Sequence, residues 1–265
     1  MKAPVPEPRH RGHLRVEAVT VRFGGLKALD GIDIELEPGI ATGVIGPNGS
    51  GKSTLLNVLS GVQPAECTAI RLDGQRIDGL TAAARARLGI ARTFQALRLF
   101  DSLSVLDNVM MGTHRLHRHG ALAACLHLPD TRREQRALRD EVVEMLAVFG
   151  TRLLPRLDHQ VVSLSYANRR RVEIARALAA RPSVLLLDEP CAGMNPAETE
   201  ELAEQLPRLA AMAGCSTLLV EHKMHVISSV CRQVYVLDHG TLLMHGTPTE
   251  VQADERVVEA FLGVE

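Results

Sequence analysis

Apolar positions fall into short runs separated by polar turns. Leu14 and Val16, then Val19 and Val21, recur at every second position, the spacing of a half-buried strand over residues 14–23. A second strand-like run, 32–36, closes at Pro38-Gly39, a turn signal. Residues 41–45 predict a short buried strand that leads into Gly46, Pro47, Asn48, Gly49, Ser50, Gly51, Lys52, Ser53 and Thr54. Leu55, Leu56, Val58 and Leu59 then repeat with helical spacing. Further apolar runs at 184–187, 216–220 and 234–237 end in Asp188-Glu189-Pro190, Glu221-His222 and Asp238-His239-Gly240. Helices are predicted from near Ser165 to before Pro182, over 198–210 and over 257–262. This repeated alternation of strand and helix implies a largely parallel sheet.

Residues 110–160 differ in character, rich in His and Arg, and predict a helical insert. Thr131-Arg132-Arg133-Glu134 has capping-box spacing. Behind it Leu138, Val142, Met145, Leu146 and Phe149 line one helical face, and Gly150 is a natural stop. The mixed sign of that helix's polar face argues for core packing rather than a membrane surface.

Composition narrows the class. With 30 basic and 31 acidic residues the net charge is −1, which argues against a nucleic-acid surface or a polybasic membrane anchor. No apolar run reaches the roughly 18 residues of a membrane span. Residues 1–13 are polar, carry Pro4, Pro6 and Pro8, lack the apolar core of a signal peptide, and read as a disordered lead. A cytoplasmic chain is expected. Cys67, Cys125, Cys191, Cys215 and Cys231 are scattered, without metal or redox spacing, and read as reduced packing residues. Carboxylates beside Cys191 are expected to raise its pKa. His114, His117, His119 and His127 fit no standard ligand spacing, so a solvated, variable insert competes with a metal site there.

Two segments carry chemistry. Gly46-x-x-x-x-Gly51-Lys52-Ser53 has the phosphate-loop pattern between a buried strand and a helix. Glycines let backbone N–H groups wrap phosphate oxygens, and the following helix points its positive end at the anion. Lys52 supplies charge to the outer phosphates, and the Ser53 hydroxyl can ligate Mg²⁺. A chance glycine-rich turn lacks that flanking context. Asp188 and Glu189 end a buried strand, where ligand sites of open α/β sheets lie. Asp188 would hold Mg²⁺ and Glu189 would polarise the attacking water; an ordinary acidic loop is the alternative, disfavoured by the phosphate loop's presence.

With these landmarks in order, the chain resembles an ATP-binding, ATP-hydrolysing subunit of ABC transporters over residues 14–263. The resemblance implies a P-loop α/β core with a mainly parallel sheet, an antiparallel β subdomain and a helical subdomain at about 96–180. Leu164-Ser165-Tyr166-Ala167-Asn168 resembles the family's signature, Thr93-Phe94-Gln95 the loop linking the Mg²⁺ site to membrane subunits, and Ala192-Gly193-Met194-Asn195 the loop crossing the dimer interface. His222 matches the switch histidine, Phe23 the adenine-stacking aromatic, and Gln95 a Mg²⁺ contact. Ser165 can cap a helix. Arg169, Arg170 and Arg171, near that helix's positive end, either face phosphate or acidic partner groups or are solvated.

In such proteins one subunit's signature closes over ATP held by the other's phosphate loop. The resemblance implies ATP and Mg²⁺, two integral-membrane permeases, a second, shorter ATPase or a homodimer partner, a secreted substrate-binding protein, and a place on the inner face of a bacterial membrane. It implies no nucleic acid. The strings Phe23-Gly24-Gly25-Leu26-Lys27-Ala28-Leu29, Ala91-Arg92-Thr93-Phe94-Gln95 and Ala192–Thr199, with the ending Phe261-Leu262-Gly263, resemble the longer ATPase of branched-chain amino-acid importers. Urea and amide importers use similar subunits, and residues 169–178 are also similar to the lipopolysaccharide-exporting ATPase. A non-transport ABC ATPase would have tandem cassettes or a long coiled coil, and a non-hydrolysing regulator would not need Glu189 and His222. Ala167, Asn168 and Lys223 depart from the usual Gly, Gln and Asp. The methyl of Ala167 is expected to crowd a backbone meant to approach phosphate. With a nonidentical partner, that would leave hydrolysis mainly at this chain's own phosphate loop.

Overall fold

The computed structural model describes residues 12–116 and 129–262. Its strands form two sheets. β1 (Leu14–Phe23) pairs antiparallel with β2 (Leu26–Leu36), Leu14 opposite Leu36, and with β4 (Ala69–Leu72) on its other edge; β5 (Gln75–Arg76) extends β4. The second sheet has the order β10-β9-β3-β8-β7-β6. In it β3 (Ala41–Ile45), β6 (Ile90–Arg92), β7 (Val184–Asp188), β8 (Ser216–Val220) and β9 (Gln233–Asp238) run parallel. β10 (Thr241–Gly246) folds back antiparallel on β9.

The two-residue period of the buried strands divides the interior in two. Val184, Leu186, Leu218 and Val220 point to the side shared with Leu14, Leu36 and α1 (Lys52–Leu59). Leu185, Leu187 and Leu219 point to the opposite side, among the helices. Those helices are α3 (Val105–Met110), α4 (Pro129–Ala147), α5 (Tyr166–Ala179), α6 (Pro196–Ala213) and α7 (Met224–Val230), following α2 (Ala82–Leu88) in the chain. The chain then runs through α8 (Pro248–Ala253) and α9 (Glu255–Leu262). Each fully buried Leu in these layers contributes roughly 1.5–3 kcal/mol relative to exposure. Between β6 and β7 every described element is helical.

The strands over 14–23, 41–45 and 216–220 stand as the periodicity predicts, and Ser165 caps α5 through its hydroxyl, which accepts from the Asn168 amide. β2 begins at Leu26 rather than residue 32, because a tight turn at Gly24-Gly25 joins it to β1. Strands β4, β5, β6 and β10 and helices α2, α3, α7 and α8 carried no periodic signal. All are two to seven residues long, too short for a period to stand out. The Thr131 capping box is overturned: α4 is already helical at Pro129, so Thr131 lies inside it. Its apolar face is as expected, with Leu138, Val142, Leu146 and Phe149 buried and Met145 packed against them. Cys125, His117, His119, His127, Gly263 and residues 1–11 lie outside the described residues. Among the described residues no group of three His, Cys, Asp or Glu could hold a metal ion, and no helix is long and apolar enough to cross a membrane.

Candidate active site

The phosphate loop joins β3 to α1, and its backbone explains its glycines. Gly46 has φ +152°, and a Cβ there would stand 2.0 Å from the Leu237 carbonyl oxygen. Gly51, at φ +104°, would place a Cβ 2.6 Å from the Ala28 carbonyl oxygen. Both positions therefore exclude any side chain. Lys52 turns back into the loop, its Nζ donating to the carbonyls of Gly46 and Pro47 at 2.7 Å each. Burial lowers its pKa, and the charges of Glu189 and Asp188 act against that shift. Ser53 and Asn48 are exposed and Thr54 half-exposed at the mouth, while Ser50 is buried beneath Gly46.

A cavity of about 370 Å³ brings the chemistry together: Asn48, Gly49, Gly51, Lys52, Ser53 and Thr54 meet Gln95 and Glu189 across it. Leu26 and Ala28 of β2 form a further wall. Phe23, half-exposed at the tip of the same hairpin, is not among its lining residues, nor are His222, Ser165 and Ala167. Glu189 has φ +45°, a left-handed conformation unfavourable for a side chain of its size and characteristic of functional sites. Its N–H is anchored on the Val220 carbonyl at the end of β8. Asp188, one residue deeper, is buried.

Asp188 has a partner that periodicity did not single out. Arg92, at the end of β6, donates to its Oδ2 at 3.0 Å, to Asn57 Oδ1 on α1 at 2.7 Å, and to Ser60 Oγ at the C-cap of that helix at 3.0 Å. One guanidinium thus joins the helix after the phosphate loop to the acidic strand. The pairing arises only because the sheet order sets β6 beside β7. Ser53 and Gln95 line the cavity, while the buried Asp188 carboxylate lies outside that lining with its Oδ2 on Arg92; between them they offer a hydroxyl, an amide and a carboxylate oxygen, all hard donors. That donor set suits Mg²⁺ that takes its other ligands from phosphates and water.

His222 follows β8 with an exposed ring, 3.8 Å from Glu221. Glu221 is fully buried and accepts from the amides of Cys191, at 2.9 Å, and of His222 itself, at 3.2 Å. Burial, then the Glu221 charge, pushes the Cys191 thiol up to about 12. The rise is as expected, but the carboxylate responsible is Glu221 rather than the adjacent acid pair.

The signature segment corrects two expectations. Ala167 is buried as a whole residue and packs in the helical core, so its methyl lies in the interior rather than on a surface that could meet phosphate. Arg170 and Arg171 face neither a ligand nor solvent. Both are fully buried. Arg170 bonds Glu173 at 2.7 Å and the Phe94 and Gln95 carbonyls at 2.5 and 2.9 Å; Arg171 bonds Glu201 at 3.1 Å. Arg169 bonds the carbonyls of Leu164 and Val162. The signature helix is thereby tied to the segment that carries Gln95.

A phosphate loop after β3, with an acid pair at the end of β7 two strands along the same parallel sheet, defines a P-loop nucleotide hydrolase whose antiparallel sheet and helical layer are those of a transport cassette. The ABC transporter family pattern matches residues 29–192, and that of the branched-chain amino acid ATP-binding cassette transporter matches residues 241–265. The chain belongs to the ABC transporter family, as an ATP-binding, ATP-hydrolysing subunit. It is 37% identical over 250 residues, 94% of this chain and 97% of the other, to the high-affinity branched-chain amino acid transport ATP-binding protein LivG of Escherichia coli K12. It is 35% identical over 241 residues, 91% of this chain and 93% of the other, to the lipopolysaccharide export system ATP-binding protein LptB of the same strain. The ADP conformation of MJ1267, an ATP-binding cassette of an ABC transporter, superposes with a TM-score of 0.80 at 30% identity, covering 95% of this chain and 98% of that one.

Proposed function

We propose that this subunit energises an importer of branched-chain amino acids, with the loop at 46–54 cradling the triphosphate and Glu189 priming water. The observation that carries the site is the cavity in which the phosphate loop, Gln95 and Glu189 converge. Loop N–H groups and the start of α1 bind the phosphate oxygens. Lys52 exchanges its bonds to Gly46 and Pro47 for the outer phosphates, which relieves the cost of its burial. Ser53, Asp188 and Gln95 would hold Mg²⁺, which supplies charge neutralisation on the phosphates. Glu189 accepts a proton from water as its oxygen attacks the terminal phosphorus and the bond to ADP breaks. His222 stands at the switch position, Phe23 stacks on adenine, and Ser165 with the backbone at Ala167 closes over a partner subunit's nucleotide.

The chain needs spanning partners for transport, and a groove of about 550 Å³ offers them a seat. Val62, Phe100 and Met111 leave apolar surface exposed at its rim, and Arg92 lines it while bonding Asp188. A cytosolic segment of a permease is the occupant this reading gives it, with the subunit on the inner face of the membrane. The match over 241–265 and the identity to LivG favour branched-chain amino acids over lipopolysaccharide. The test is uptake by vesicles that carry this chain together with two permease subunits and a second, shorter ATPase of a branched-chain amino-acid importer. ATP-dependent leucine uptake that needs the cognate binding protein is expected. Turnover stimulated by lipopolysaccharide, with no leucine uptake, would reject the reading.

A further inference from the structure

Glu221 and Lys223, on either side of His222, hold the backbone of Cys191 at its N–H and its carbonyl. The Glu221 carboxylate accepts the Cys191 N–H at 2.9 Å. The Lys223 Nζ donates to the Cys191 carbonyl at 3.1 Å and to the Thr199 hydroxyl, also at 3.1 Å. Cys191, Thr199 and Glu221 have no exposed surface. The backbone N–H and C=O of one residue, Cys191, are therefore each held by a charged side chain, in bonds roughly twice as strong as neutral ones. Cys191 lies two residues after Glu189 and immediately before the loop 192–195. Thr199 lies in the first turns of α6, which leaves that loop through an Asn195 cap. The far side of the loop rests on the signature helix, since a Cβ at Gly193 would stand 3.2 Å from the Tyr166 ring.

We infer that Lys223 is a positioning residue for ATP hydrolysis: with Glu221 it locks the loop 192–195 to His222, so that the loop and the histidine move as one unit. A carboxylate at position 223 could not donate to the Cys191 carbonyl, so this link depends on the Lys223 ammonium. Neither Lys223 nor Glu221 lines the nucleotide cavity, so the clamp acts through His222 and the loop rather than on phosphate. The inference rests on hydrolysis by this chain, not on the cargo, and is independent of the transport assay above.

The test compares the full-length chain with Lys223→Met and Lys223→Arg. In Lys223→Met, hydrogen exchange should accelerate about tenfold in the segment 191–195 and stay unchanged in the central strands, as for a local opening. ATP turnover should fall by roughly ten- to a hundredfold in kcat, the scale of a misplaced catalytic geometry, with KM shifted less than about twofold. Lys223→Arg keeps a donor and should restore both. Unaltered exchange in 191–195, a rise spread over the whole sheet, or a loss carried by KM alone overturns the proposal. The exchange measurement decides it even where the isolated chain turns over too slowly to assay.

Discussion

Among the described acidic residues Glu189 alone joins a strained backbone and partial exposure to a place on the cavity wall beside Lys52. Its Val220 anchor holds that strain in place. Glu189→Gln keeps the shape and removes the proton acceptor. Phosphate release should fall by about 10²–10⁴, the usual worth of a general base, while ATP stays bound on a filter assay with little change in affinity. A variant that still turns over at near wild-type rate would move the base elsewhere. At this scale the sequence was legible: Lys52, Ser53, Asp188 and Glu189 sit in local strings whose neighbours dictate their geometry. Arg92, Glu221 and Lys223 were not, because what they do depends on partners 96, 30 and 32 residues away.

Among the elements, α5 is the junction. Its cap, Ser165, follows from local sequence, but its arginines do not do what a run of charge at a helix start suggests. Arg170 is buried against Glu173 one turn away and satisfies two carbonyls of the 94–95 segment. Removing one member of such a pair strands the other charge and both carbonyls. Arg170→Met should cost about 3–5 kcal/mol in urea unfolding, and adding Glu173→Leu should recover part of it. A loss below about 1 kcal/mol would show that the pair is solvated after all, as expected of a surface ion pair. Thr131 teaches the same lesson: a capping spacing is a local permission, and where a helix starts is settled by what packs around it.

Over the whole molecule, two interiors share one sheet, and the cysteines report on both the sheet and the helices. Burial pushes Cys215 up to about 11 and Cys231 up to about 12, alongside Cys191 at about 12. Raised values keep all three as thiols at mildly alkaline pH, and the thiolate is the reactive form. In the native chain Cys191, Cys215 and Cys231 should therefore label with iodoacetamide only at the rate of unfolding, whereas half-buried Cys67 reacts first among the four described cysteines. Mass spectrometry of timed samples checks this; early labelling of Cys191 would mean that the clamp around it opens locally.

The chain's own order of residues determined the class: short apolar runs make the parallel strands, and the glycines at 46 and 51 with Lys52 and Ser53 make a phosphate cradle, because these effects act within a turn or two of backbone. Tertiary structure decided everything that joins distant strands. It put β6 beside β7 and so Arg92 on Asp188, turned the methyl of Ala167 inward, buried two arginines, and set Lys223 on the Cys191 peptide. Hydrophobic burial drives that assembly and is blind to which charged groups it brings together, so those pairings are readable only once the layers have closed.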